Sequence, residues 1–330
     1  MELSVIIPLY NAENYLQQCL ETLLNVSKDL KIILVNDGSC DNTEKICKEY
    51  VGKYNNIQYF VQENKGVSSA RNNGLQHVET KYVMFVDGDD YIDVNRLEIV
   101  IEKCSKVDFE LCITNYCNFD SNGWKEEVSF NSYLEKQEFD ILINKILTDG
   151  LLNTCWAKIY QTDIIQRNNL YFLTDVKIGE DIIFLLEYLK HINTYIYINE
   201  CFYYYRKNPQ SAMNQRISLT RIDDLEKSYY KRIEIAKIYM KNKESIFQEI
   251  NFYYFTNILY LVLRNKVNDS DFREFADIIV NKEFFLEILN NLPVNKLSGY
   301  EKIIWMFLKK KNSLFLLIFE KIRKKIRKGK

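Results

Sequence analysis

The chain is poor in the residues from which compact metal centres are built. It has two histidines, and its eight cysteines never fall into a Cys-x-x-Cys pair. A zinc site is therefore not expected, and free thiols in a reducing compartment are. No uncharged apolar run approaches the roughly 18 residues that a membrane-spanning helix requires. Met1-Glu2-Leu3-Ser4 carries no basic stretch and no cleavage site and opens straight into a strand pattern, so no secretory leader is expected. Glycine is missing between Glu180 and Leu297, and beyond Ser218 the apolar spacing is helical. No repeat or low-complexity tract stands out. After the first strand, Pro8-Leu9-Tyr10-Asn11 stands where a nucleotidyltransferase would need a glycine-rich phosphate loop, which weighs against that class.

What the chain does have is a core. Apolar residues make up 47% and aromatic residues 14% of its 330 positions, which excludes wholesale disorder. The net charge of −1 conceals a division. Residues 309–330 hold ten Lys or Arg and one Glu, a local charge of +9, which leaves −10 on the residues before them. An acidic body with a basic tail points to an anionic surface as the tail's partner.

The first hundred residues alternate strand and helix signals. Strands are expected at Leu3–Leu9, Lys31–Asn36, Ile57–Val61 and Tyr82–Val86, with helices at Ala12–Leu24, about 42–54 and Ser68–His77. Asp41, with Glu44 three residues on, reads as an N-cap pair for the second helix. The βαβ rhythm predicts an α/β fold with a mostly parallel sheet and helices on both faces. Further on, a strand at Leu111–Tyr116, helices at Gln137–Leu147 and Asp181–Lys190, and strands at Thr194–Ile198 and Cys201–Arg206 are expected. The division this suggests is a domain over 1–216, with halves 1–105 and 106–216, and a helical module over 217–330.

Four aspartates are the most informative residues. Asp37 closes one apolar strand, and Asp87, Asp89 and Asp90 close another. In open α/β sheets ligands bind beyond the carboxyl ends of the strands. Carboxylates gathered there repel one another unless a cation joins them. Asp87-Gly88-Asp89, with a glycine permitting close approach, suits a hard Mg²⁺ or Mn²⁺ that keeps positions open for phosphate oxygens.

Four blocks carry a family resemblance. They are Ser4-Val5-Ile6-Ile7-Pro8-Leu9-Tyr10-Asn11; Val35-Asn36-Asp37-Gly38-Ser39; Asn64 to Gly74; and Phe85-Val86-Asp87-Gly88-Asp89-Asp90. In this order and spacing they closely resemble the family 2 inverting glycosyltransferases, strongly over 1–100 and less so over 150–211, with no family match over 217–330. The resemblance implies a GT-A fold, Rossmann-like, and a sugar nucleotide whose base lies on the first strand and its loop, at Pro8 and Tyr10. Otherwise Tyr10 is one of many core tyrosines. Asp37 matches the carboxylate that accepts the N3–H of uracil, though Asp before Gly-Ser also caps turns. Arg71 is chemically suited to a diphosphate or a base carbonyl, or else is a solvated helix charge. Asp87 is assigned to the ribose or metal-bound water and Asp89 to the metal.

Glu180-Asp181 starts an apolar helix, where acids commonly serve as caps. The resemblance makes Asp181 the base that deprotonates the acceptor hydroxyl, with Glu180 beside it in the acceptor site. Trp156 and Lys158 resemble the pair bordering the sugar site. Tyr203-Tyr204-Tyr205-Arg206, with Ser211, resembles a Tyr-Arg…Ser element in which Arg206 meets the diphosphate. Bland alternatives are a core tryptophan and an aromatic edge strand. In the tail, Phe315, Phe319, Ile322 and Ile326 share a helical face, which fits an amphipathic helix on anionic lipid through 303–330, or a helix packed on the domain. Nothing else suggests nucleic acid.

The expectation is an inverting hexosyltransferase using a UDP-sugar and Mg²⁺ or Mn²⁺. Its acceptor would be a glycan hydroxyl, lipid-linked, in bacterial surface-polysaccharide synthesis (capsule, teichoic acid or lipopolysaccharide), at the cytoplasmic face of the membrane. The alternative is a non-catalytic scaffold that only binds sugar nucleotide or membrane, separable by UDP release in the presence of acceptor.

Overall fold

The computed structural model describes residues 1–27, 30–135, 138–207, 220–264 and 277–311. The chain divides into two compact units, 1–146 with 150–211, and 147–149 with 212–330. The boundary expected at 216/217 lies outside the described residues, as do Ser211 and the tail residues Phe315, Phe319, Ile322 and Ile326.

In the first unit the apolar runs become a nine-stranded sheet. Strands β1 (Leu3–Leu9), β2 (Leu30–Asp37), β3 (Ile57–Gln62) and β4 (Tyr82–Phe85) pair in the parallel order β3-β2-β1-β4. All seven residues of β1 are buried, as a central parallel strand covered on both faces demands. Helices α1 (Leu16–Leu24), α2 (Thr43–Lys53) and α3 (Val67–Leu75) connect them. In α1, Leu16, Cys19, Leu20 and Leu23 are buried, the spacing of one helical face. The short β5 (Tyr91–Ile92) and helix α4 (Val94–Cys104) follow.

Beyond β4 the sheet is mixed. Strand β6 (Leu111–Phe119) forms an antiparallel hairpin with β7 (Lys125–Val128). Strand β8 (Lys158–Gln161) lies antiparallel between β4 and β6, and β9 (Ile196–Arg206) runs parallel to β6 and antiparallel to β5. The two strands expected at 194–198 and 201–206 are one. Register shifts beside Asn115 absorb the extra residues, and Asn115 Nδ2 donates to Asn199 Oδ1 there (2.8 Å). Helices α5 (Asn131–Leu134), α6 (Phe139–Thr148), α7 (Thr162–Arg167) and α8 (Glu180–Leu189) complete the order.

An aromatic cluster ties the end of β4 to α8. Phe172 and Phe184 stack at 4.1 Å, and Phe85 meets both edge-on at 5.1 and 5.9 Å. Such pairs contribute about 0.5–1.5 kcal/mol each beyond their burial. They fix where α8 begins relative to the acidic loop after β4.

The second unit is helical where described. Helices α9 (Thr220–Tyr239) and α10 (Lys243–Arg264) are followed by helices Glu283–Asn290 and Gly299–Lys309. Ser298 and Glu301 form a reciprocal capping box at the last of these. Among the described residues no helix is long and apolar enough to cross a membrane.

Candidate active site

The β1–α1 and β2–α2 loops are stitched together. Asn11 N–H donates to Ser39 Oγ (3.0 Å), Ala12 N–H to Thr43 Oγ1 (2.8 Å) and Glu13 N–H to Asp41 Oδ2 (3.0 Å). In return, Cys40 N–H donates to Asn11 Oδ1 (2.9 Å) and Asn42 N–H to Glu13 Oε2 (3.0 Å). Asp41 also accepts from Thr43 N–H (3.0 Å), while Asn42 holds the N-cap position of α2. The cap expected of Asp41 is thus displaced by one residue, because its carboxylate is used to join the loops. Tyr10 sits on this platform with its side chain in solvent, 53% exposed, so it is not a core tyrosine. Pro8 lies inside β1, in register with Val35.

Asp37 ends β2 and is buried. Its Oδ1 accepts from Lys65 N–H (2.9 Å) and Gln62 Nε2 (2.7 Å), and its Oδ2 from Gly66 N–H (2.8 Å). Three donors leave one of the four lone-pair sites of a carboxylate for an outside donor. Gly38 is at φ +70°, and a Cβ on it would lie 2.9 Å from Asn64 N, so this turn needs glycine.

The acidic loop after β4 is held from β9. Asp87 N–H donates to Tyr203 Oη (3.1 Å), and the Tyr203 hydroxyl donates to Asp90 Oδ2 (2.6 Å). Arg206 N–H donates to Asp90 Oδ1 (2.7 Å), and its Nε to the carbonyl of Asp89 (2.7 Å). Gly88 backs onto β1, and a Cβ there would come 2.5 Å from Leu9 Cδ2. Three neighbouring aspartates therefore meet three environments. Asp90 is fully buried and bonded, Asp87 faces an arginine, and the Asp89 carboxylate takes no donor from another residue among the described residues.

That arginine is Arg71, on α3 and 3% exposed. Its Nη2 donates to Asp87 Oδ1 (3.0 Å), and its Nη1 to Asp181 Oδ1 (2.6 Å) and Glu180 Oε1 (3.2 Å). Its guanidinium lies 5.2 Å from the Phe172 ring centre. Arg71 is not a solvated helix charge: its two amino groups join the acidic loop to the start of α8, and its buried Nε has no hydrogen-bond partner among the described residues. Asp181 Oδ2 also accepts from Cys155 N–H (3.1 Å).

Five carboxylates share this region with two arginines, and the imbalance appears in their protonation. Burial, then Asp87, pushes Asp89 up to about 6. Burial, then Asp181, pushes Glu180 up to about 7. Burial raises Asp87 against the opposing pull of Arg71, and burial with Asp89 and Asp87 raises Asp90 well above the carboxylate range. Burial works against charge on Arg71, but Asp181 leads the carboxylates that outweigh it. A cation would relieve the excess negative charge. Among the described residues no three His, Cys, Asp or Glu side chains are grouped to enclose a metal. The residues fit a hard ion that takes Asp89 and draws its other ligands from phosphate and water, the usual habit of Mg²⁺.

Trp156, Lys158 and Arg206 take three different settings. Trp156 is 5% exposed and stacks on Tyr203 (4.6 Å) and Tyr205 (5.2 Å). Lys158 is 2% exposed and donates to the Thr154 carbonyl (2.7 Å), not to a site carboxylate; burial lowers its ammonium to about 8. Arg206 is in the site, with its guanidinium over Tyr15 and Phe119 and its Nη2 on Gln18 Oε1 (2.7 Å). Nothing in the sequence points to Gln62, and Tyr203 and Asn72 lie within family blocks without a role of their own. Asn72 exchanges both hydrogen bonds with the Phe172 backbone (2.8 Å each). Tyr203 had one signal: with Tyr205 it alternates on a strand that ends at Arg206.

An open α/β sheet, with acidic turns at the carboxyl ends of β2 and β4 and an acidic helix start brought to them by an arginine, is the arrangement of a GT-A-type transferase. Residues 4–167 match the model of glycosyl transferase family 2, and the chain belongs to that family. Over 215 residues it is 34% identical to glycosyltransferase GlyA of Streptococcus pneumoniae, covering 62% of this chain and 30% of GlyA. Over 218 residues it is 34% identical to the minor teichoic acid biosynthesis protein GgaB of Bacillus subtilis, covering 64% of this chain and 24% of GgaB. The chain thus spans less than a third of either relative. The crystal structure of S. aureus TarS 1-349 in complex with UDP-GlcNAc shares its fold, with a TM-score of 0.71 at 19% identity over all of this chain and 93% of that one.

Proposed function

We propose that the chain transfers a hexosyl group from a UDP-sugar to a glycan hydroxyl with inversion at the anomeric carbon. The observation that carries this reading is the Arg71 bridge, which sets Glu180-Asp181 against the Asp87–Asp90 loop. Tyr10 and the remaining lone pair of Asp37 would receive the uracil, Asp87 the ribose, and Arg206 the diphosphate. Mg²⁺ or Mn²⁺ at Asp89 would neutralise charge on departing UDP. Asp181 would accept the acceptor proton as the new bond to the anomeric carbon forms on the face opposite UDP and the old one breaks. Its two fixed contacts hold it in place for that transfer.

The acceptor we propose is a lipid-linked glycan of the bacterial surface, reached at the cytoplasmic membrane face, with the basic segment within 303–330 on anionic lipid. The teichoic acid relative and the +9 charge of 309–330 support this reading. Asp181→Asn keeps the shape and removes proton acceptance. Turnover should fall by about 10²–10⁴-fold with UDP affinity nearly unchanged. A retained rate would move the base, with Glu180 next in line.

A further inference from the structure

The geometry points to a second carbohydrate subsite on the β6–β7 hairpin, centred on Trp124, which holds a neutral pyranose unit of the acceptor away from the reacting hydroxyl. The inference rests on the glycosyl-transfer reading above.

Register fixes which residues share a face. Tyr116 is opposite Tyr203 on β9, and Asn118 lies between Tyr205 on β9 and Glu126 on β7. The ladder runs one step further, with Lys207 N–H donating to the Phe119 carbonyl (2.8 Å) and Asp120 N–H to that of Trp124 (3.1 Å). Lys207 Nζ lies 4.0 Å from the Trp124 ring centre and 3.8 Å from Glu126 Oε2, so these three side chains are on one side of the hairpin. Period-two alternation puts that side in common with Tyr203 and Tyr205. Tyr203 is the residue that holds Asp87 and Asp90. One strand face therefore runs from the acidic loop, past Trp156 stacked on Tyr203 and Tyr205, to Trp124 four strand residues on, about 13 Å away.

Along this path burial gives way to exposure. Tyr203 is fully buried, and Trp124 is 42% exposed. Around Trp124 stand Asn118, Glu126 and Lys207, offering amide, carboxylate and ammonium groups. A broad aromatic surface flanked by a few polar groups suits a pyranose, which has a flat C–H face and a rim of hydroxyls. Glu126 and Lys207 cancel in charge, so the site has no electrostatic demand for an anionic ligand. What sets Trp124 apart from a singly exposed apolar side chain is its place on a strand face that leads from the acidic loop.

The test uses the full chain and saturation-transfer NMR with maltotriose, cellotriose and chitotriose. At least one should receive magnetisation and bind at least tenfold more weakly to Trp124→Ala. Trp124→Tyr should restore most of the binding, because the ring is what the sugar meets. UDP affinity should be equal in all three proteins; loss of UDP binding in the wild type would instead defeat the glycosyltransferase reading. Equal trisaccharide binding by wild type and Trp124→Ala, or no transfer to any of the three sugars, overturns the subsite. So does a glycerol phosphate oligomer that binds through Trp124 while the neutral sugars do not.

Discussion

Arg71→Met removes the guanidinium at nearly constant volume and separates its electrostatic role from its packing. In the wild type one buried side chain makes hydrogen bonds to Asp87, Asp181 and Glu180. Removing one partner of a buried ion pair costs about 3–5 kcal/mol, chiefly through the charges left behind. Whole domains are stable by roughly 5–15 kcal/mol, so the first unit should be severely weakened at pH 8. The sign of the pH dependence follows from which state binds protons. Burial already raises Asp87 and Glu180, and without the opposing pull of Arg71 their folded pKa values lie further above the unfolded ones, near 4. The penalty is then greatest when they are forced to ionise, and it shrinks as pH falls and the folded state takes up protons. Urea unfolding at pH 8 and pH 5, read by near-ultraviolet circular dichroism, should show a deficit of about 3–5 kcal/mol at the higher pH, smaller by about 1–3 kcal/mol at the lower. A deficit under about 1 kcal/mol at pH 8, or the same deficit at both pH values, would refute the view of Arg71 as the counter-ion of this cluster.

Asp89→Ala should abolish transfer and remove the dependence of UDP binding on Mn²⁺ or Mg²⁺ while leaving the fold intact. Calorimetry that finds wild-type UDP affinity unchanged in excess chelator would defeat the metal assignment. Truncation after Leu308 should release the protein from anionic vesicles, since each basic residue contributes up to about 1 kcal/mol at such a surface, and the loss should mirror the effect of high salt. Hydrolysis of UDP-sugar should survive the cut; equal sedimentation of cut and full chains with vesicles would make the segment a packing helix.

Local patterns carried most of the fold. Leu3–Leu9 is a strand with the expected bounds, and β2 and β3 differ by a residue at their ends, because continuous apolar runs between turn residues leave few alternatives. Helix α1 begins at Leu16 rather than Ala12: the Ala12 carbonyl already accepts from the Tyr15 and Leu16 amides, but Tyr15, at φ −128°, is outside the helical region. The mixed half of the sheet was harder to read: β8 inserts between β4 and β6 from far along the chain. In the site, the acidic loop and the Glu180-Asp181 helix start were legible as positions at element ends. Their connection was not. Arg71 reaches Glu180 and Asp181 across 109 and 110 residues, and no local pattern records such a distance. The burial of Lys158 and the stacking of Trp156 on β9 are likewise products of tertiary packing.

On the proposed placement of the base at Tyr10, the stitched loops bear on what binding costs. A surface loop ordinarily loses motion when a ligand arrives, at about 0.5–1.5 kcal/mol for each immobilised side chain. Here the backbone amides of Asn11, Ala12, Glu13, Cys40 and Asn42 are already bound to side chains of the opposite loop. The platform under Tyr10 is set during folding, so encounter leaves little more than the aromatic ring itself to come to rest. Lengthening either loop by one residue would put these partners out of step together, which makes the two turns a single structural unit although 28 residues separate Asn11 from Ser39.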